Sequence, residues 1–464
     1  MDKNYHYLIN LILDFYHDNE LSMGFDNGLF REGNSEKMVL RRLGRAAKDE
    51  AEGHLLNSRY AIYAADCIDL VEEAIKNITR NDTANALQQL HCVSNALKAY
   101  KDIKTILDNE DFYKVSDVFH SYSNHLLSLP DSASKIVEKR DIISLLKEQT
   151  KVSGVRLPRD INFTIKNRVL KVYVNIPTQN MQNDGAAFEG WILALMAWLP
   201  DKIKYVELDF AIPINLPADK YGNLQICHYN RFLYRINNFL RMYPEWFLLN
   251  KNKSEVVSEF MNWLKIESCL LNHSLHERES VILTKKMERQ IESWFAFEDG
   301  KQILCNHWGI AQEKLFNQLP VGVFYKEINS KNAIFTRGAG AIDLWGISAN
   351  GDTLHIIELK CGKNSGMGVI SETLFYTSVL YDTCITDDNI FTFGRYKNSK
   401  DTKDMLAISN GEHKFKTLYS HILAEQYHPL FSDEVIKLIQ EGLTNLGIEF
   451  DRATYNYAKK MIIK

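Results

Sequence analysis

The chain has 464 residues, of which 45% are hydrophobic and 25% charged, with a formal net charge of −4. That length exceeds a single ordinary core, so two or three domains are expected. The charge excludes an overall basic field, so any nucleic-acid contact has to come from a local patch. Seven cysteines run from Cys67 to Cys384 without a C-x-x-C pair or metal-finger spacing. Their odd number argues against a closed disulfide framework and points to a reducing, cytoplasmic setting. The opening MDKNYHYLINLILDFYHDNE mixes acids into its apolar positions and does not read as a secretory signal. The longest apolar candidate, Trp191 to Pro200, falls well short of the roughly 18 to 20 residues that cross a bilayer, so no membrane partner is expected.

Residues 1–150 read as a helical domain. Ala64, Ile68, Val71, Ile75 and Ile78 recur at helical spacing, as do Leu90, Val93, Leu97 and Tyr100, with the turn residues Thr79 to Thr83 between them. Such antiparallel helices commonly serve packing or a protein partner. Residues 151–275 read as a mixed α/β middle domain. Phe163 and Ile165, then Leu170, Val172, Val174 and Ile176, alternate with polar residues about Lys166-Asn167, which predicts a hairpin. A helix over Ala186 to Trp198, a strand over Tyr205 to Ala211 and a helix over Tyr229 to Met242 follow. Glu207 and Asp209 share a strand face there without a lysine, which reads as structural.

Residues 276–464 open with a helix whose apolar stripe is Met287, Ile291, Trp294 and Phe295. AIDLWGIS and TLHIIELK come next, joined at Asn350-Gly351, a strong short-range hairpin signal. A loop with glycines, a helix over Val369 to Tyr381, strands at Ile390 to Arg395 and Leu418 to Glu425, a helix at Asp433 to Leu446 and a strand at Ile448 to Tyr455 finish an α/β layout.

Side chains two apart in a strand share a face, so Glu358 and Lys360 point one way and Ile357 and Leu359 the other. Asp343, flanked by Ile342 and Leu344 on the preceding strand, is brought beside Glu358 by the hairpin. Two carboxylates at that spacing make a hard oxygen site for Mg²⁺ or Mn²⁺. A bound ion would lower the pKa of its water and polarise a phosphoryl oxygen, and Lys360 would orient the water or offset developing charge. The bare acid-x-Lys triplet is weak, since Asp102-Ile103-Lys104, Asp299-Gly300-Lys301, Asp401-Thr402-Lys403 and Glu412-His413-Lys414 share it. Only Glu358-Leu359-Lys360 ends an apolar strand after a hairpin that carries another acid.

GAIDLWGI followed by HIIELK and a helix resembles the PD-(D/E)XK phosphodiesterase superfamily, over roughly residues 280 to 460. The resemblance implies a restriction-endonuclease-like mixed sheet flanked by helices, in the order helix, three strands, helix, strand. It also implies a Mg²⁺- or Mn²⁺-dependent nuclease acting on DNA ahead of RNA, as in microbial defence or restriction. Position by position, Asp343 is similar to the first metal ligand, Glu358 to the second and Lys360 to the catalytic lysine, with the Leu359 carbonyl as a further ligand. The family's acid on the first helix matches Glu292, or Glu288 one turn earlier. Its Gln-x-x-x-Tyr motif is matched by Glu372 to Tyr376, with Glu in place of Gln, and Ile342 stands where the family has proline.

Simpler readings accompany these. Asp343, Glu358 and Lys360 would also serve as a cross-strand ion pair on an exposed face, and Glu292 as an acid on the polar side of an amphipathic helix. The cluster Arg395, Lys397, Lys400 and Lys403 reads as a phosphate grip or as a solvated loop, and His273 with His276 as solvent-facing residues. The alternative functions are a non-catalytic nucleic-acid- or protein-binding module on a nuclease-like fold, and an RNA-cleaving effector.

Overall fold

The computed structural model describes residues 136–463, apart from 167, 215, 245, 251, 273–286, 336–339, 363–365, 387–388 and 395–414. The helices expected before residue 136, the boundary expected near residue 275, His273 with His276, and the basic cluster from Arg395 to Lys403 lie outside the described residues.

Among the described residues the chain is α/β, with mixed sheets and helices. Val137–Tyr243 and Asn252–Lys464 form one compact unit, while Pro244–Lys251, which holds the short strand Phe247–Leu249, is grouped apart from it. Strand β1 (Val137–Glu138) and helix α1 (Lys139–Thr150) lead into the expected hairpin of β2 (Ile161–Lys166) and β3 (Val169–Val174). Its alternating residues lie opposite one another, Phe163 across from Val172 and Ile165 across from Leu170. Helix α2 (Phe188–Trp198) then leads to β4 (Tyr205–Phe210), which joins β3 in parallel. Helix α3 (Leu224–Met242) begins before the expected Tyr229 because the Asn223 side chain accepts from the Gln225 and Ile226 amides and so caps it.

Beyond β5 (Phe247–Leu249), α4 (Ser254–Ile266) and β6 (Cys269–Asn272), the helices α5 (Met287–Phe297) and α6 (Asp299–Trp308) precede β7 (Ile310–Pro320) and β8 (Val323–Tyr325). The expected hairpin strands are β9 (Ala341–Ser348) and β10 (Thr353–Lys360). Their connection spans Ala349 to Asp352, and Gly351 takes a φ of 81° there, a backbone region that suits glycine. Helix α7 (Gly368–Cys384), β11 (Phe391–Gly394), β12 (Thr417–Ala424), α8 (Asp433–Thr444), β13 (Glu449–Asn456) and β14 (Met461–Ile463) complete the order.

The larger sheet has six strands in the order β14-β13-β12-β10-β9-β7. Its β7, β9 and β10 are antiparallel neighbours, whereas β12 lies parallel to β10 and β13 parallel to β12. The expected strand at Ile390 to Arg395 forms as β11, but it pairs with β6 in a separate three-stranded sheet.

Ile291, Trp294 and Phe295 of α5, with Leu304 and Trp308 of α6, cover one face of the larger sheet through Leu344, Ile357, Leu359 and Leu423. An aromatic side chain buries about 150–250 Å², worth roughly 4–6 kcal/mol at ~25 cal/mol per Å² before conformational entropy is counted. Helix α7 packs against β10 and β12, with α2 and α3 behind it. Nearly all of its 17 residues are buried, among them the polar Ser371, Glu372, Thr377 and Asp382, whose side chains are hydrogen-bonded as burial requires. A Cβ at Gly190 of α2 would sit 2.6 Å from the Met367 carbonyl oxygen, so glycine permits α2 to approach the start of α7 this closely. No helix among the described residues is long and apolar enough to cross a membrane.

On the α6 side of the sheet, His355 of β10 and His421 of β12 meet at 3.1 Å between Nδ1 and Nε2, and Trp308 stacks on His421 at 4.1 Å between ring centroids. Burial pushes His355 down to about 4 and, with His355 and His307 nearby, holds His421 well below the usual histidine range. Both are neutral when folded and titrate near 6.5 when unfolded. The unfolded chain therefore binds more protons below about pH 6.5, and stability is lost as pH falls through that window toward about 4. Urea unfolding at pH 7.5, 6.0 and 5.0 is expected to show this loss, and His355→Gln is expected to reduce it; equal losses in both proteins would contradict the assignment.

Candidate active site

The site forms where β9 and β10 end their pairing. Ile342 and Leu344 are buried, and Ile357 and Leu359 join the α5–α6 core, so Asp343, Glu358 and Lys360 fall on the opposite face. Beyond the cross-strand pair Leu344 and Ile357, Asp343 Oδ2 accepts from the Leu359 amide at 2.9 Å and ties the two strands together. Leu359 thus carries two tasks, its side chain in the core and its N–H on Asp343.

Glu358 is only 4% exposed. Its Oε1 accepts from Lys360 Nζ at 2.5 Å, while Oε2 is buried with no hydrogen-bond partner among the described residues. Lys360, with a side chain 24% exposed, also reaches Glu372 Oε2 of α7 at 3.1 Å. Glu372 Oε1 in turn accepts from Tyr376 Oη at 2.9 Å and from Gln182 Nε2 at 2.6 Å. The substitution of Glu for Gln in the motif is therefore accommodated in two ways. The extra negative charge meets Lys360, and an amide arrives from Gln182, far away in the chain.

Of the two acids on α5, Glu292 is buried and accepts from Asn317 Nδ2 of β7 at 2.9 Å, where Asn317 lies opposite Leu344, beside Asp343. Glu288 is exposed, and its charge acts on Cys361 and Tyr455 instead. The structure thus brings Asp343, Glu358, Lys360, Glu372, Tyr376 and Glu292 together and leaves Glu288 outside.

Burial dominates the electrostatics. It pushes Asp343 up to about 7 against the pull of Lys360 and the Leu359 amide, with Glu372 and Glu292 adding to the rise. Burial, then Asp343 and Glu372, hold Glu358 well above the usual carboxylate range. For Glu372, burial is outweighed by Lys360, Gln182 and Tyr376, which leaves its carboxyl below that range. Burial draws the Lys360 ammonium down, but Glu358, Glu372 and Asp343 more than reverse this. Burial and Glu372 keep the Tyr376 phenol protonated, as a donor.

Three further residues escaped sequence reasoning: Gln182, Asn317 and Asp184, whose Oδ1 accepts from the Gly368 amide at 3.3 Å at the start of α7. Gln182 and Asp184 sit in QNMQNDG, an amide-rich run readable from sequence only as a turn.

Among the described residues, no three His, Cys, Asp or Glu side chains gather closely enough to enclose an ion by themselves. Magnesium usually takes one or two protein carboxylates and keeps several waters. Asp343 and the uncommitted Oε2 of Glu358 are hard oxygen donors of that kind, and two buried acids held above their usual range are the groups that a divalent cation would relieve.

Because the folded Asp343 binds its proton more tightly than the unfolded residue, stability falls as pH rises from about 4 through about 7. In chelator at pH 8, Asp343→Asn is expected to raise the melting temperature by about 2 °C or more, with a smaller gain at pH 5. A melting temperature lowered equally at both pH values would show that the carboxylate is not under electrostatic strain. No family model, curated protein or solved structure matches the chain.

Proposed function

We propose that the protein is a metal-dependent nuclease of the PD-(D/E)XK kind, hydrolysing phosphodiester bonds in DNA ahead of RNA. The observation that carries this reading is the meeting of Asp343, Glu358 and Lys360 at the ends of β9 and β10, with one Glu358 oxygen uncommitted. The element order supports it: helices α5 and α6, then β7, β9 and β10, then α7, then β12 parallel to β10.

Asp343 and Glu358 would hold Mg²⁺ or Mn²⁺, with the Leu359 carbonyl and Glu292 as further oxygen donors. The bound ion would acidify water and polarise a phosphoryl oxygen. The protein's own groups do the rest. Lys360, tethered between Glu358 and Glu372, places an ammonium where it orients an attacking water or meets the charge that grows on the phosphate. Hydrolysis adds the water oxygen to phosphorus and breaks the bond to the leaving sugar oxygen, which takes up a proton. Tyr376 and Gln182 fix Glu372, and through it the direction of Lys360. Glu372 and Tyr376 thereby act as positioning residues.

The full chain, incubated with labelled DNA and RNA and with Mg²⁺ or Mn²⁺, is expected to cut DNA and to stop in EDTA. Asp343→Ala and Lys360→Ala are each expected to lower the rate at least ~100-fold. Cutting that persists in EDTA or in both variants would refute the mechanism. Calorimetry that detects no Mg²⁺ or Mn²⁺ binding dependent on Asp343 and Glu358 would favour a non-catalytic binding module instead.

A further inference from the structure

Helix α3 carries three arginines against α2 and α7, and two of them are matched by acids. Arg235 pairs with Glu189, its Nε at 2.7 Å, and donates to the Ala186 carbonyl at 2.8 Å. Arg241 reaches Asp382 at 2.9 Å. Arg231, one turn before Arg235, is just as buried at 3% exposure, yet no acid lies within ion-pair distance of it among the described residues. Its partners are neutral: Nη2 donates to Asn180 Oδ1 at 3.0 Å and meets His228 Nδ1 at 2.8 Å. Both contacts use one nitrogen, and among the described residues Nε and Nη1 have no hydrogen-bond partner. Burial, with the Arg231 charge beside it, pushes His228 down to about 4, so this ring is a neutral prop.

Buried guanidinium groups are normally matched by an anion, because removing the charge from water is expensive. For Arg231 the cost is visible: burial, then the like charge of Arg235, lower it to about 10, with only partial relief from Tyr376 and Glu372. Those two residues also locate the guanidinium, which lies over the Phe375 ring at 5.8 Å, next to Tyr376 on α7. A run of side chains leads from it to the reaction centre. Asn180 Nδ2 donates to Gln182 Oε1 at 3.3 Å, Gln182 to Glu372, and Glu372 accepts from Lys360.

From this geometry we infer that Arg231 anchors a phosphate subsite beside Asp343, Glu358 and Lys360, gripping one phosphodiester of the nucleic-acid strand while Asn180 and His228 hold its guanidinium in place. The nearby acids are already engaged: Glu189 by Arg235, and Glu372 by Lys360, Gln182 and Tyr376. The missing counter-charge therefore comes from outside the described chain. With Nη2 held by Asn180 and His228, the guanidinium keeps Nε–H on one edge and the Nη1 hydrogens on the other, so either edge offers a phosphate oxygen one charge-assisted hydrogen bond. The inference rests on the nuclease reading for the identity of the phosphate.

The test uses the full chain carrying Asp343→Asn to prevent cutting. Binding of a fluorescein-labelled 20-nucleotide DNA, single- or double-stranded, is followed by anisotropy in Mg²⁺ from 50 to 300 mM NaCl. Arg231→Gln is expected to weaken binding about tenfold or more and to reduce the slope of log K against log salt by about one. Arg231→Lys is expected to keep the slope while losing part of the affinity, since an ammonium lacks the planar group that Asn180 and His228 hold in place. If Arg231→Gln does not fold, the Lys variant and Asn180→Ala carry the test, and Asn180→Ala is expected to weaken binding with Arg231 left in place. Unchanged affinity and slope in the folded variants would overturn the subsite, as would a lowered melting temperature with an unchanged slope. Wild-type cutting lost in Asp343→Ala, together with Arg231-independent binding, would sink the subsite and spare the nuclease. Arg231-dependent binding without any wild-type cutting would do the reverse.

Discussion

The Lys360 ammonium binds two buried carboxylates at once, Glu358 on its own strand and Glu372 on the following helix. Burial drives such acids to take up protons; Lys360 opposes this at both, and with Gln182 and Tyr376 it prevails at Glu372, while Glu358 stays above the usual range. Much of the surrounding architecture follows from keeping that cation between them. Strand β10 must end there, in the interior of its sheet between β9 and β12, and α7 must lie across it with Glu372 facing inward. The Leu359 amide must then turn to Asp343, which draws the neighbouring strand into the same cluster.

Residues before 250 are part of this arrangement. Gln182 holds the far oxygen of Glu372, Asp184 meets the first turn of α7, and Ser371 Oγ donates to Glu189, itself bound by Arg235. Tyr234 and Arg241 of α3 both bind Asp382 near the other end of α7. Helix α7 is thus gripped by polar contacts along its length from α2, α3 and the segment before them. The environment of the candidate chemistry is shared between distant parts of the chain.

The central residues were legible because they are local. Strand alternation fixes the relative directions of Glu358 and Lys360, the hairpin supplies Asp343, and one further helix brings Glu372 and Tyr376. What was not legible is tertiary: 190 positions separate Gln182 from Glu372, and no periodicity spans that distance. Strand β7 was missed for a different reason. Its register shifts between Ile310 and Leu315, and Glu313 and Lys314 fall inside it, so the two-residue alternation that reveals β9 and β10 is broken. Helix α4 carried a readable stripe in Val257, Phe260, Met261 and Leu264, whereas α6 is short, with Gly300 near its start.

The fit of α2 against the head of α7 depends on the missing side chain of Gly190. A single methyl group there would meet backbone rather than a side chain able to swing aside, so the two helices would have to part. Gln182 and Asp184 precede one helix and Glu372 belongs to the other, so the separation would be felt at the Lys360 ammonium. The cluster of acids around Lys360 would then be disarranged by a change at a residue that touches none of them, with the whole lever arm running through main chain.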